Sequence, residues 1–78
     1  MRITVLVRPK PGILDPQGDV IARSLSGLGL PVDSVRAGKV FDLEVALDDP
    51  AEARRVATTA AEQALANDLI EGFEVVLP

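Results

Sequence analysis

Val32–Leu47, VDSVRAGKVFDLEVAL, is the longest strand-like stretch of the chain and decides its fold. In its second half Phe41, Leu43, Val45 and Leu47 fall on one face and Asp42 and Glu44 on the other. That alternation marks a strand with one face buried. The regularity breaks at Arg36-Ala37-Gly38-Lys39. This break reads either as a tight hairpin turn with Gly38 at positive φ or as a glycine bulge in one bent strand. The hairpin is the preferred reading, with Val32–Val35 as a short second strand.

The flanking segments look made to cover that apolar face. Upstream, Ile3, Val5 and Val7 alternate with polar or outward residues in a first strand, which Arg8-Pro9-Lys10-Pro11-Gly12 ends because proline cannot donate to a ladder. Asp15-Pro16 opens a helix with an aspartate cap and a proline at the first helical position. Val20, Ile21, Leu25 and Leu28 recur at helical spacing as its expected buried stripe. Gly29 and Pro31 stop it. Downstream, Asp49-Pro50 with Glu52 forms a capping-box pattern for a second helix, in which Ala53, Val56, Ala57, Ala60 and Ala64 share one side. Asn67-Asp68 ends that helix. Phe73, Val75 and Leu77, with Glu74 between them, make a last strand.

The order strand–helix–strand, strand–helix–strand predicts an α+β two-layer sandwich. The plan is ferredoxin-like βαββαβ: a four-stranded antiparallel sheet with both helices on one face. The chain has 78 residues, enough for one domain spanning 1–78. Burial at ~25 cal/mol per Å² set against ~1.5 kcal/mol of ordering entropy per residue comes out near zero at this size. Without cysteine or histidine there is no disulfide and little to hold zinc. Self-association is the remaining common remedy, so an oligomer is expected.

The net charge of −4 argues against a nucleic-acid partner, and no apolar run approaches a membrane span. MRITVLVRPKPG is too short and too alternating for a signal peptide. A nucleophile would have to be serine, threonine or lysine. Ser24, Ser26 and Ser34 lack a neighbouring base at a sharp turn, and neither Lys10 nor Lys39 sits in an apolar run. Asp48-Asp49 is more simply a helix cap than a metal site. The chain alone is therefore not expected to be catalytic.

In the expected topology four segments converge at one end of the sheet: Arg8–Gly12, Asp15–Gly18, Arg36–Lys39 and Asn67–Gly72. Gly18 in a first helical turn costs up to ~1 kcal/mol unless a close backbone approach requires it. Arg8, Lys10, Arg36 and Lys39 gather cations beside Asp15 and Glu71. Glycines and charges collect at loops in any protein, so a merely structural role weighs about equally. The alternative is a docking edge whose arginines engage carboxylates or a phosphate.

Three stretches carry a family resemblance: Leu14-Asp15-Pro16-Gln17-Gly18, Val35-Arg36-Ala37-Gly38-Lys39, and Leu65-Ala66-Asn67 followed by Ile70-Glu71. Together, in order and spacing, they resemble the PurS family, the small subunit of phosphoribosylformylglycinamidine synthase. Asp68 and Gly72-Phe73 depart from the family's usual residues. The resemblance implies a cytoplasmic, non-catalytic subunit of an ATP- and glutamine-dependent ligase complex of de novo purine biosynthesis. Such a subunit bridges the large synthetase and the glutaminase and supports ammonia transfer. It also implies a homodimer, with further association of two dimers left open, and no cofactor in this chain. ATP and magnesium would belong to the synthetase subunit.

Within that reading Arg8, Lys10, Asp15, Gly18, Arg36, Gly38, Lys39, Asn67 and Glu71 are the expected partner-binding residues, with no catalytic or metal-binding residue and no membrane contact. The competing reading is a ferredoxin-like regulatory module that binds a small anionic effector.

Overall fold

A computed structural model describes residues 1–78. The elements are β1 (Arg2–Pro9), α1 (Pro16–Gly27), β2 (Lys39–Glu44), α2 (Pro50–Ala60) and β3 (Glu71–Val76). β1 is the central strand of a three-stranded antiparallel sheet ordered β2-β1-β3. Register follows the alternation read from the sequence. Val5 faces Phe41 and Val75 across the ladders, and Ile3 faces Leu43. These residues, with Val7 and Phe73, line the inner face. Ile3, Val5 and Val7 are fully buried there, each worth about 1.5–3 kcal/mol in transfer free energy.

α2 closes this face. Asp49 accepts a hydrogen bond from the Ala51 N–H (3.2 Å), and Pro50 occupies the first turn. Glu52 pairs with Arg55 at 2.8 Å, so its carboxylate serves a helical i,i+3 ion pair where a capping box had been expected. Ala53 and Ala57 are buried against the strands. The chain then widens into a π-helical turn, Ala61–Leu65, closed by the Ala66 N–H on the Ala61 carbonyl. The buried row runs Ala53, Ala57, Ala61 at ordinary i,i+4 spacing, while Val56 and Ala64 face outward, unlike the stripe drawn from the sequence. Alanine on this row lets the helix axis sit close to the sheet.

The expected fourth strand is missing. Val32–Val35 pairs with no strand, and β2 begins only at Lys39, so Arg36–Lys39 is neither a hairpin turn nor a bulge. Gly38 does not adopt positive φ; Gly12 and Gly29 are the positive-φ glycines. The reason lies in the sequence context. Four residues led by Pro31 and interrupted by Asp33-Ser34 offer few apolar groups, and the sheet edge they would extend belongs to β2. β2 itself is shorter than expected. It ends at Glu44, after which Val45 is buried and exchanges backbone hydrogen bonds with Met1 (both 2.8 Å) in place of extending the strand to Leu47.

α1 departs most from expectation. Its start is as read, Asp15 accepting from the Gly18 N–H at 3.0 Å. Its stripe is not buried: Val20 is 55% exposed and Leu28 75%, and Gly18 is the helix's one buried residue. The protein is accordingly elongated, 47 × 25 × 14 Å, with a radius of gyration of 15.5 Å. A compact chain of this length would give about 11.5 Å. The α+β class, the element order and the antiparallel sheet stand as expected. The second helix cover and the fourth strand are not supplied within one chain.

Candidate functional site

The four segments expected to converge do so. The Lys10 N–H donates to the Ile70 carbonyl (2.9 Å) and the Lys10 Nζ to the Asp68 carbonyl, tying the loop after β1 to the turn before β3. Arg36 donates to the Pro9 carbonyl (3.3 Å), joining the segment before β2 to the end of β1. Asp15 bridges two elements. Its Oδ1 caps α1 through the Gly18 N–H, and its Oδ2 accepts the Ala37 N–H at 2.8 Å. These two N–H groups, Gly18 first and then Ala37, stabilise the carboxylate and hold its pKa below the ordinary aspartate value.

Two of the rim glycines, Gly18 and Gly38, answer a steric demand. A Cβ on Gly18 would collide with the Val35 carbonyl oxygen, and one on Gly38 with the Val7 carbonyl oxygen. The glycine cost noted for a first helical turn is thus explained by close backbone approach. Asn67 and Glu71 close the last turn on themselves. Glu71 Oε1 accepts the Asn67 N–H (2.8 Å), the Glu71 N–H returns to the Asn67 carbonyl (2.7 Å), and Asn67 Oδ1 accepts from Leu69. Glu71 Oε2 also lies 3.8 Å from Lys39 Nζ, and Arg8 lies 3.7 Å from Glu74.

Two shallow depressions share Leu6, Arg8 and Arg36 as lining, and the larger, about 240 Å³, extends to Lys10 and Phe73. Leu6 and Glu74 were not singled out among the site residues. The outward alternation of β1 and β3, which places Leu6 opposite Glu74, carries the signal that would have found them. No three metal-ligating side chains cluster anywhere in the chain, and no helix is long and apolar enough to cross a membrane.

The fold and this rim define a class: a small α+β module with an incompletely covered sheet and a cation-bearing end braced by backbone hydrogen bonds. The sequence profile described as phosphoribosylformylglycinamidine (FGAM) synthase, PurS, matches residues 2–78. The chain is 33% identical over 75 residues to the phosphoribosylformylglycinamidine synthase subunit PurS of Thermotoga maritima, covering 95% of this chain and 92% of that one. With the same subunit of Mycobacterium leprae it shares 41% identity over 75 residues, 95% and 91% of the two chains. The crystal structure of the T. maritima PurS subunit superposes with a TM-score of 0.87 at 33% identity, over 95% of this chain and 86% of that chain. A chain in the structure of PurLQS from T. maritima gives 0.86, again at 33% identity, over 95% and 92%. The chain belongs to the PurS family, subunits of FGAM synthase in purine biosynthesis.

Proposed function

We propose that this chain is a non-catalytic organiser of the synthase. It joins an ATP-dependent synthetase subunit to a glutaminase subunit, supports passage of ammonia between them, and does so in the cytoplasm. ATP and magnesium belong to the synthetase. The observation that carries this reading is the likeness over nearly the whole chain to a component of PurLQS. It is supported by a rim in which Asp15, Gly18 and Gly38 are spent on bracing backbone.

The working form is a homodimer. One chain exposes 5447 Å², where a compact protein of its 8.2 kDa mass would expose about 4,500 Å². The excess of about 900 Å² per chain is close to what each partner buries in a standard stable interface, roughly 800 Å². The surfaces responsible are complementary. α1 carries an uncovered apolar stripe, and the inner face beside β2 keeps Phe41 and Leu43 only half-buried. The outer edge of β2 is open, and Val32–Val35 is unpaired. Reciprocal packing of α1 and Val32–Val35 onto a second copy would fill both vacancies.

Mixing the chain with the synthetase and glutaminase subunits tests the function. Glutamine-driven amidine formation is expected to require the chain, while ammonia-driven formation by the synthetase depends on it much less. Equal glutamine-driven rates with and without it would refute the proposal.

A further inference from the structure

Within the rim, the residues on either side of Arg36 are fixed in place by different elements. The Val35 carbonyl packs against Gly18 at the start of α1, where there is no room for a Cβ. The Ala37 N–H is held by Asp15 at 2.8 Å. Gly38 lies against the Val7 carbonyl of β1. Asp15, Gly18 and Gly38 therefore act as positioning residues, and what they position is the Arg36 backbone. With Lys10, the side chain so presented is one of two rim cations that no carboxylate neutralises, and it is the one with a planar fork of donors. Arg8 faces Glu74, Lys39 faces Glu71, and Lys10 is taken up by the Asp68 carbonyl. Arg36 makes a single bond to the Pro9 carbonyl and has no carboxylate within ion-pair distance. Most of its planar fork of N–H donors is unused.

We propose that Arg36 is the anchor of a docking surface for an acidic polypeptide segment of another subunit, one that carries an aspartate or glutamate beside an aliphatic residue. This rests on the reading of the chain as a synthase subunit and names the chemistry of its contact. The carboxylate pairs with the Arg36 fork in bidentate fashion. The aliphatic neighbour rests on Leu6 and Val40, which floor the depression between Arg8 and Arg36. Val40 is 64% exposed and Leu6 lies opposite it on the outer sheet face, so the floor is apolar and open.

Charge decides between occupants. A phosphate dianion in the larger depression would lie beside the Glu74 carboxylate as well as the cations. A second copy whose two-fold axis passed through this patch would set cation against cation. A single carboxylate on a polypeptide carries half the charge of a phosphate dianion, so it meets less repulsion from Glu74. An aliphatic neighbour also draws it to the smaller depression, which Glu74 does not line. The backbone bracing supplies preorganisation, so little ordering entropy is lost when the partner arrives.

The test measures binding of the full chain to the assembled synthetase and glutaminase subunits at physiological salt. Arg36→Glu is expected to weaken binding by about tenfold or more, and Arg36→Gln by less. Arg54→Glu, an equal charge reversal on the exposed side of α2, should leave it within about twofold. Poly-glutamate should compete with the partner at concentrations where inorganic phosphate does not. Far-UV circular dichroism confirms that each variant is folded, and Arg36→Gln carries the comparison should the reversal disturb the fold. If wild type joins the complex and both Arg36 variants join equally well, this inference falls while the proposed function stands. Competition by phosphate as strong as by poly-glutamate would also overturn it. If wild type fails to join at all, both fall.

Discussion

The two helices begin with the same signals and meet opposite fates. Each opens on aspartate and proline, and each aspartate accepts a backbone N–H of the first turn. α2 buries Ala53 and Ala57, and the turn after it buries Ala61 over the inner sheet face. α1 buries Gly18 alone and leaves Val20 and Leu28 in solvent. Local chemistry thus decides where a helix starts, whereas cover for its apolar stripe depends on what the rest of the molecule offers. Here the chain offers cover for one helix and withholds it from the other. In area, the withheld cover is close to what each partner buries in a standard stable interface.

If this contrast is real, core truncations and stripe truncations must behave differently. Ile3→Ala, at a fully buried site under α2, should cost about 2–5 kcal/mol in urea unfolding. That loss should be present at any protein concentration. A smaller effect follows from Val20→Asp on α1. It should lower stability at high concentration, where dimers form, and change it by less than about 0.5 kcal/mol under dissociating conditions. Concentration-independent destabilisation by Val20→Asp would mean that α1 packs within its own chain.

The weakest effect concerns the joint between the halves. The Asp15 carboxylate is stabilised in the folded state, so its pKa is lower there than in the unfolded chain. Its contribution to stability is present above the unfolded value near pH 4 and fades as pH falls through the lower folded value. Asp15→Asn should flatten the acid limb of the melting-temperature profile below about pH 4 and lower the plateau at neutral pH. An unchanged acid limb would show that the two N–H bonds to Asp15 do not persist in solution.

How much of this was legible in the sequence follows the same division. The strand faces of Ile3, Val5, Val7, Phe41, Leu43, Phe73 and Val75, both helix starts, and the meeting of four segments at one rim were all readable. Each rests on local periodicity or on a cap, and the strand order then follows from topology. The fate of α1 was not readable, because an amphipathic stripe looks the same whether its cover lies in its own chain or in another. The role of Gly38 was misread for a related reason. Glycine in a turn-like context suggests positive φ, whereas here the demand comes from a Val7 carbonyl far away in sequence. In α2 several alanines offer alternative stripes, and Ala61, four residues beyond Ala57, was passed over in favour of Ala60 and Ala64. At the rim, residue types pointed to a docking edge. Only the geometry separates the bracing residues, Asp15, Gly18 and Gly38, from the guanidinium that they hold out.

Sedimentation of the isolated chain across a wide concentration range, paired with hydrogen exchange of the α1 amides, bears most directly on the claim that one half of this molecule is completed by another copy. The account calls for a species of twice the 8.2 kDa chain mass, with α1 protected only where that species persists and with Val20→Asp shifting the chain to monomer. A monomer at all concentrations with α1 fully protected would contradict it.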